Sequence, residues 1–491
     1  MKLLAPLLAA LALAGCTVGA DFQRPEVSTA VAWGLEPLDV PSHTFAGVVD
    51  VAWWDSFHDA ELTSLVDRLG LQNLDLQTAA ERIAQARALR QVAASQGLPQ
   101  LIGGATVERN RVSPNGVVSL VEPAPGAPLE FNQFDASLSA SWELDLFGRV
   151  RREVEAAGAQ TEAAVAARHA VALSAVADLA QDYMTLRSLQ AQEDIVRRNL
   201  AFAEQRRTLT RNRYDNGVAT TLDVAQADAQ ASTIAQELPS IRTMQAQQIN
   251  AISLLLAEPP RSLSTELTAN RSQPPTPPIV PVGMPGDLLR RRPDIREAEA
   301  RLHAATAETG VAVASFYPDI TLTGSFGFES LQAGTWFNLA SRQFLAGPSI
   351  DLPIFQGGRL TGTLSLRKSQ QREAAIVYRK IVLQAWHDVD DALTAYAEAQ
   401  HADADVMATV QANARALSAA EDQYQQGVAT FLNIIAAQAE FLQSETRGAQ
   451  SRAQVETSLI HLYKALGGGW QNVDAREIAA DQQHLAPGDG P

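Results

Sequence analysis

The longest regular pattern in the chain lies between residues 363 and 426, a run of 64 residues without glycine or proline. Apolar residues recur in it at alternating steps of four and three, which is the spacing of a coiled-coil seam. The seam consists of Val382, Trp386, Val389, Leu393 and Tyr396 and continues through Met407, Val410, Ala414, Leu417 and Tyr424. One helix of that length would be roughly 95 Å long. The run stops at Gly427 and a second helical pattern follows, so the sequence predicts a long helical hairpin.

The same pattern occurs earlier in the chain, displaced by 210 residues. The segment RYDNGVATTLDV at residues 213–224 matches QYQQGVATFLNI at residues 423–434. Tyr214, Gly217 and Leu222 then correspond to Tyr424, Gly427 and Leu432. Carried back by the same offset, the seam falls on Val176, Leu179, Tyr183, Leu186 and Gln190. An internal repeat of this size predicts two similar halves that pack side by side.

A second period, of two residues, appears between the helical patterns. Residues 133–147 alternate apolar and polar side chains over thirteen positions, and residues 101–111 form a matching partner. The second half repeats the pair at residues 319–329 and 343–354. Strands of this length are typical of membrane-spanning barrels, which need about 9–11 residues per strand. We expect residues 112–132, rich in proline and glycine, to form a long extracellular loop.

Four membrane strands cannot close a barrel around a pore. An open sheet edge in lipid would leave backbone N–H and C=O groups without partners. The chain is therefore predicted to assemble with further copies of itself. Three copies would supply 12 strands, an even number within the usual range.

The first residues have the pattern of an export signal. Lys2 precedes an apolar stretch at residues 3–14, followed by Gly15 and Cys16. The stretch is too short to span a bilayer, and residues 13–16 (LAGC) resemble a bacterial lipobox. Cys16 is the only cysteine in the chain, so we expect it to be lipidated rather than to be a free thiol. No later stretch of about 18 apolar residues is evident, so we expect no transmembrane helix.

Composition and net charge favour some classes of protein function over others. Among 491 residues, 46% are hydrophobic but only 6% are aromatic, because alanine supplies the excess, and this suits closely packed long helices. The net charge of −16 argues against nucleic acid as a partner. Two interpretations of that charge remain open: general solubility, or an electronegative lumen that favours cations.

Enzymatic function is not predicted. The eight histidines do not pair with Cys, Asp or Glu at a dependable metal-ligand spacing, and no phosphate-binding loop, nucleophile elbow or dinucleotide fingerprint occurs. His387 and Asp388 lie in the long heptad helix, where we interpret them as part of a solvated face. Trp53 and Trp54 are interpreted as core packing. A coiled-coil scaffold would explain the helices but not four alternating strands.

These patterns divide the chain as follows: a signal peptide at 1–15; a lipid-anchored tether at 16–52; a first repeat at 53–272, with a long hairpin at 149–257 and its tip at Gly217; an extended Pro-rich linker at 273–286; a second repeat at 287–470, with a hairpin at 359–466 and its tip at Gly427; and a disordered tail at 471–491. The fold class is mainly α with a transmembrane β-barrel portion. The segment 53–89 is expected to form an amphipathic helical region, and residues 290–315 another helix.

Taken together, the lipobox, the WWDSFHDAEL opening, the string LLRRRPDIREAEARL and the paired tips resemble a known family. They resemble the outer-membrane factor lipoproteins, the TolC-, OprM- and NodT-like exit ducts of tripartite efflux pumps. The resemblance spans residues 3 to about 470, in order and in both repeats. No single motif would suffice, but the set is highly specific.

The resemblance implies a homotrimer with a 12-stranded β-barrel in the Gram-negative outer membrane and a 12-helix periplasmic α-barrel. It also implies an outer-membrane lipid environment, a covalent lipid (palmitate) on Cys16 and no other cofactor. A periplasmic adaptor linked to an inner-membrane pump of the RND type would dock on the hairpin tips. The candidate docking residues are Gly217, Val218, Ala219, Gly427, Val428 and Ala429. The same residues also suit a purely turn-shaping role, with Thr220 or Thr430 capping the return helix, and both roles can hold together.

The family resemblance also implies a periplasmic gate just after the second tip. Leu432 occupies the apolar gate position. Asn433 and Ala436 occupy positions that are acidic in relatives, so cation binding at the mouth is expected to be weaker. Asp223, in the first tip, matches an acidic residue that helps to lock the closed state. The implied function is a passive exit duct for drugs or other toxic small molecules, with type I secretion or heavy-metal efflux as the alternative.

Overall fold

The computed structural model describes residues 17–26, 33, 40–113, 129–269 and 273–473. The chain divides into two compact units, each described here by itself. The first comprises Met1–Pro25, Ile83–Ala163 and Ala298–Tyr378; the second comprises Glu26–Arg82, Ala164–Glu297 and Arg379–Pro491. The expected signal peptide at 1–15, the lipidation site Cys16 and most of the expected tail lie outside the described residues.

In chain order, the elements of the first repeat are β1 (His43–Phe45), α1 (Ala60–Gln72), α2 (Leu74–Ser95), β2 (Gln100–Arg111), β3 (Glu130–Glu143), α3 (Arg149–Asp215), α4 (Thr221–Ala235), α5 (Leu238–Leu255) and α6 (Ser264–Ala269). The later elements are β4 (Ile279–Pro281), α7 (Leu288–Arg291), α8 (Pro293–Ala314), β5 (Asp319–Ser330), β6 (Arg342–Asp351), α9 (Arg359–Gln425) and α10 (Phe431–Ala465).

The first unit is built on a four-stranded antiparallel sheet with the order β2-β3-β5-β6. Its register places residues of like character opposite one another. Leu138 lies opposite Gly103 on one side and Phe326 on the other, and Phe326 lies opposite Phe344. A slip of one residue would reverse the faces of a strand, so the alternating pattern fixes this register. The sheet therefore has one mainly apolar and one mainly polar face.

Two strands end earlier than the alternation predicts. The predicted strand at 133–147 is Glu130–Glu143, and the one at 343–354 is Arg342–Asp351. The first ends early because Asp145 turns to begin α3. Its carboxylate accepts hydrogen bonds from the backbone N–H groups of Val150 (3.1 Å) and Arg151 (2.9 Å). These N–H groups belong to the first turn of α3, which has no earlier carbonyls to bind.

Helices α3 and α9 are each 67 residues long, so both halves contain the predicted long helix. The seam predicted for α3 lies in the core of the second unit. Val176, Leu179, Tyr183, Leu186 and Gln190 are each no more than 1% exposed. In α9, Val382, Val389 and Tyr396 are equally buried. The four-three spacing thus marks a buried stripe in α3 and part of one in α9, where Trp386, Leu393 and the continuation from Met407 to Tyr424 are only half-buried.

The first return arm is not the continuous helix that was expected. It divides into α4 and α5, with α4 ending at Ala235 and Pro239 lying in the first turn of α5. Proline has no N–H to donate to a preceding turn and clashes with it, so a new helix begins there. The second return arm, α10, is a single helix of 35 residues.

The helical region before the first strand pair is also divided. Asn73 separates α1 from α2, and its Oδ1 accepts hydrogen bonds from Asp75 N and Leu76 N, both at 3.0 Å. The expected packing role of the two tryptophans is confirmed. Trp53 and Trp54 are each 1% exposed, and Trp53 stacks on Tyr463 with ring centroids 5.1 Å apart.

Two segments expected to be extended connections contain a small parallel sheet. Strand β1, inside the expected tether, pairs with β4, inside the expected Pro-rich linker. His43, Thr44 and Phe45 lie opposite Ile279, Val280 and Pro281. Each strand has only three residues, too few for an alternating pattern to be recognised in sequence.

The expectation of no apolar helical span requires one correction. An 18-residue window within α3 is long and apolar enough to cross a membrane by length and composition. However, 56% of that window is buried inside the fold. The run is rich in alanine, which packs closely against neighbouring helices, and we interpret it as part of the packed core of α3.

Candidate functional site: the hairpin tips and the sheet faces

The two hairpin tips have the same backbone structure. Gly217 and Gly427 have φ angles of 72° and 76°, in the left-handed region that glycine adopts without strain. In the first tip, the N–H groups of Val218 and Ala219 both donate to Arg213 O, at 2.8 and 3.2 Å. In the second, the corresponding N–H groups both donate to Gln423 O, at 2.9 and 3.2 Å. The turn-shaping role of the two glycines is therefore evident in the geometry.

The tips also present apolar side chains to solvent. Val218 is 66% exposed and Val428 is 77% exposed, while Ala219 and Ala429 are half-buried. Exposed valines at two equivalent turns cannot be explained by the core of this chain.

The predicted side-chain cap forms at Thr220, whereas the Thr430 side chain does not cap the second return helix, where Asn433 instead binds back to Thr430. Thr220 Oγ1 accepts a hydrogen bond from Asp223 N at 3.2 Å, and Asp223 Oδ2 accepts from Thr220 N at 2.8 Å. In the second tip, Asn433 Oδ1 accepts from Thr430 N at 3.3 Å and from Thr430 Oγ1 at 2.6 Å. Asp223 and Asn433 are thus equivalent capping residues, one charged and one neutral.

Leu432 lies beside the small core of the second tip but is not part of it. Its neighbour Phe431 is 6% exposed and packs with Ala227 and Ile434, whereas Leu432 is 58% exposed. The equivalent residue of the first tip, Leu222, is 64% exposed. The predicted gate residue therefore lies mostly outside the core of its own chain.

Two contacts that sequence reasoning missed join the hairpins near their tips. The guanidinium of Arg213 lies over the ring of Tyr424, 5.0 Å from its centroid, and Arg206 forms an ion pair with Glu421. The tyrosine is repeated in the two tips, but the sequence alone does not show which arginine reaches its ring. These contacts set the position of one tip against the other.

The polar face of the sheet is acidic along its length. Asp135 lies opposite Glu329, and Asp319 lies opposite Asp351. The carboxylates on this face are Glu108, Asp135, Glu143, Asp319, Glu329 and Asp351. Among the residues of these four strands, no lysine or arginine lies on the polar face.

The first described residues after Cys16 are bound to the first unit. Val18 N donates to Phe147 O at 3.2 Å. The buried guanidinium of Arg152 donates to the carbonyl oxygens of Val18 and Gly19, both at 3.3 Å, and to Asp21 at 2.7 Å. We call residues 17–24 the N-terminal strap. The expected tether therefore begins with a bound segment, which its aperiodic sequence did not indicate.

The pKa values of two buried glutamates in the second unit are shifted in opposite directions. Burial raises the pKa of Glu456 to about 8, opposed only partly by a hydrogen bond from Gln273 and by Arg452. Burial also acts to raise the pKa of Glu193, but hydrogen bonds from Arg197, Arg242 and Gln245 outweigh it and hold the pKa at about 2. Glu456 is thus neutral and Glu193 ionised at neutral pH.

Neither glutamate belongs to a metal-binding group. Within the described part of the chain, no cluster of three or more His, Cys, Asp or Glu side chains could hold a metal ion. Asp388, beside His387, instead accepts hydrogen bonds from Arg292 at 2.8 Å and from Gln384 at 2.9 Å. It stabilises helix packing.

Comparison with known proteins identifies the family. The sequence profile of the family described as "Outer membrane efflux protein" matches residues 65–258 and 284–468. The toluene efflux pump outer membrane protein TtgF of Pseudomonas putida is 32% identical over 479 residues, covering 96% of this chain and 97% of that protein. Nodulation protein T of Rhizobium leguminosarum bv. viciae is 32% identical over 462 residues, covering 94% and 92%.

The fold agrees with solved structures of such channels. The outer-membrane channel OprN superposes with a TM-score of 0.83 at 32% identity, covering 93% of this chain and all of that one. The fold class and the resemblance predicted from the sequence are confirmed, as is the location in the outer membrane. The chain therefore belongs to the outer membrane efflux protein family and is an efflux channel of the outer membrane.

Proposed function

We propose that the channel works as a homotrimer that receives its cargo from a periplasmic adaptor and an inner-membrane pump of the RND type. In this arrangement the chain catalyses no reaction. Transport energy comes from the pump, and the channel supplies the route across the outer membrane. A covalent lipid on Cys16 would add an anchor to the membrane.

The observation that most strongly supports the trimer is the open sheet. Strands β2 and β6 are its two edges, and neither has a second neighbour among the described strands. Lipid offers no hydrogen bonds to such edges, so they require strands from other copies. Joining β2 of one copy to β6 of the next would close a barrel of 12 strands with three copies.

The two faces of the sheet support its orientation in that barrel. Apolar side chains face lipid in membrane barrels, so the polar face lines the lumen. The six carboxylates on that face would give a lumen with a negative potential. Such a lumen favours cationic and polar solutes over anions. This supports the interpretation of the net charge as a property of the conduit.

The tips support the adaptor contact. Val218 and Val428 are exposed at two equivalent turns of matching geometry, so the trimer would present six similar apolar knobs. A single exposed valine is ordinary on a protein surface, so the support lies in the recurrence of the same exposed residue at both turns. A gate formed by Leu432 would lie next to this contact.

The proposed cargo is a set of apolar or amphiphilic organic compounds. Its support is the relative that is named as a toluene efflux pump component. Type I protein secretion and heavy-metal efflux remain the alternatives, since the channel itself makes few cargo-specific contacts.

The trimer is tested by measuring the mass of the complete protein extracted in a mild detergent. Native mass spectrometry is expected to give three chains. A matched variant with Phe344→Lys and Ile350→Lys on the edge strand β6 places charges on the apolar face and should reduce trimer yield. A wild-type protein that remains monomeric and forms no ion-conducting channel in a planar bilayer would contradict the proposal.

A further inference from the structure

The arginines of the sheet all lie at one end of it, on its two edge strands. Arg109 and Arg111 lie at the hairpin end of β2, and Arg342 is the first residue of β6, at the same end of the sheet. The register puts them all on the apolar face, opposite Asn132, Glu130 and Phe328 respectively. The carboxylates, apart from Glu130, lie on the other face. In a chain with a net charge of −16, this local excess of positive charge is unusual.

The positive charges of these arginines are only partly neutralised by carboxylates. Glu130 accepts hydrogen bonds from Arg109 at 2.8 Å and from Arg111 at 3.0 Å, and both guanidinium groups remain about 70% exposed. Arg342 has no ion-pair partner among the described residues. At this end of the sheet, the apolar face therefore carries two arginines and one glutamate on and beside one edge strand and a third arginine on the other edge strand.

Aromatic side chains lie at the same end of the sheet as the arginines. The connection between β5 and β6 lies against the apolar face, where the Trp336 ring is 5.4 Å from that of Phe134 and its Nε1 donates to Phe328 O. Phe337 contacts Phe328 with ring centroids 5.8 Å apart, yet is 67% exposed. We call Arg109, Arg111, Arg342, Trp336 and Phe337 the arginine–aromatic patch.

The depth of the patch in the membrane indicates which kind of molecule can contact it. The hairpin end of the sheet is the end away from the helices, so it lies in the outer leaflet. Arginine on a lipid-facing surface is strongly unfavourable at the bilayer midplane but well tolerated near the interface. Aromatic rings also favour that level. The guanidinium groups thus lie where lipid phosphates lie, and their planar donors match phosphate oxygens.

We propose that the arginine–aromatic patch binds the phosphorylated headgroup of an outer-leaflet lipid, whose acyl chains lie against Phe337 and the apolar face. The inference rests on the membrane orientation and trimer proposed above. Joining β6 of one copy to β2 of the next would bring Arg342 towards Arg109 and Arg111 of its neighbour. Positive charges would then meet at each junction between copies, and a bound phosphate would offset their repulsion.

The test is lipid retention by the complete protein in detergent, measured by native mass spectrometry. The probes are bisphosphorylated lipid A and the same lipid without phosphates. Wild type is expected to retain the phosphorylated form at least about ten-fold better. The variant with Arg109→Ala, Arg111→Ala and Arg342→Ala should bind it about five-fold more weakly for each arginine removed. The corresponding triple lysine variant should retain most of the binding.

Arg359→Ala is the matched control, because Arg359 is also exposed but lies at the helix end of the sheet. It should bind lipid A as wild type does. Equal retention of the two lipid forms, or undiminished binding by the alanine variant, would overturn the proposal. Inorganic phosphate bound as tightly as the lipid would overturn the assignment to a lipid. Assembly mass and conductance, measured on the same samples, report separately on the proposed trimeric channel.

Discussion

At the residue scale, Glu456 shows how burial controls a carboxyl group. The residue is fully buried on α10, and its Oε1 has no hydrogen-bond partner among the described residues. Burial raises its pKa to about 8, while Gln273 and Arg452 lower it and Asp403 raises it further. Its ordinary pKa is near 4.5. The native state therefore keeps a proton that the unfolded chain releases at a lower pH.

The sign of the pH dependence follows from this difference. Between about pH 4.5 and about pH 8 the native state binds more protons, so the free energy of unfolding falls as the pH rises. Glu456→Gln removes this contribution. Its melting temperature should be close to that of wild type at pH 4.5 and higher by several degrees at pH 9. Glu440→Gln, an exposed change on the same helix, should have the melting temperature of wild type at every pH. If the melting temperatures of Glu456→Gln and wild type depend on pH in the same way, the pKa of Glu456 is not raised.

Leu432 provides a test of the gate. Three copies would place three exposed leucines around the periplasmic mouth, forming an apolar constriction. Leu432→Ala should raise single-channel conductance in a planar bilayer by about two-fold or more, because a wider and less apolar ring is easier to hydrate. Leu222→Ala removes an equally exposed leucine from the first tip and is the matched control. If both variants conduct as wild type does, Leu432 does not form the constriction.

Some of this residue chemistry could be predicted from the sequence. A threonine that follows GVA at a helix start, with Asp or Asn three residues later, indicates a capping pair, and Thr220 was predicted in that role. The state of Glu456 could not be predicted, because it depends on which side chains cover the residue after folding. The same holds for the contact between Arg213 and Tyr424, which joins two hairpins 211 residues apart in the chain.

At the scale of elements, Arg152 is the buried side chain that binds the N-terminal strap, alongside the ion pair of Arg24 with Glu299. The Arg152 side chain is 3% exposed. It binds the backbone carbonyls of Val18 and Gly19 and the carboxylates of Asp21 and Glu155. Arg152→Ala should destabilise the strap by about 1–3 kcal/mol, because it leaves these acceptors without their donor. Hydrogen exchange at residues 18–24 should then accelerate, measured in detergent by mass spectrometry.

Arg367 offers the control for that variant. It forms a comparable ion pair with Glu308 at 2.6 Å, but its side chain is 39% exposed. Exposed ion pairs contribute about 0–1 kcal/mol, so Arg367→Ala should leave exchange in the strap unchanged. Equal protection of the strap in Arg152→Ala and wild type would show that other contacts, such as Phe22 on His303, are sufficient.

Element type was easier to predict than element boundaries. Strict alternation identified four strands, but the end of β3 depends on Asp145, which belongs to the alternating pattern and nevertheless caps α3. The break before Pro239 follows from the chemistry of proline and lies inside the hairpin predicted at 149–257. The strands β1 and β4 were missed because three residues contain too little periodicity.

At the scale of the whole molecule, the internal repeat allowed most of the fold to be predicted from the sequence. A displacement of 210 residues between the tips predicted two equivalent hairpins, and both tips have the same hydrogen bonds at their glycines. The sorting of charge between the sheet faces was only partly foreseen. The sequence predicts that the polar face of the second strand is charged. It does not predict that the arginines share one face and one end of the sheet, because this depends on the register of all four strands.

The central claim, that the chain is an efflux channel for toxic small molecules, is tested most directly by dye accumulation and growth inhibition in a strain lacking only this protein. The panel would contain solvents, detergents, dyes, several antibiotic classes, and copper, silver, cobalt and zinc salts. We expect the deletion to raise dye accumulation and sensitivity to organic amphiphiles, with both restored by the wild-type gene. Unchanged accumulation and sensitivity, or sensitivity to metal salts alone, would contradict this account.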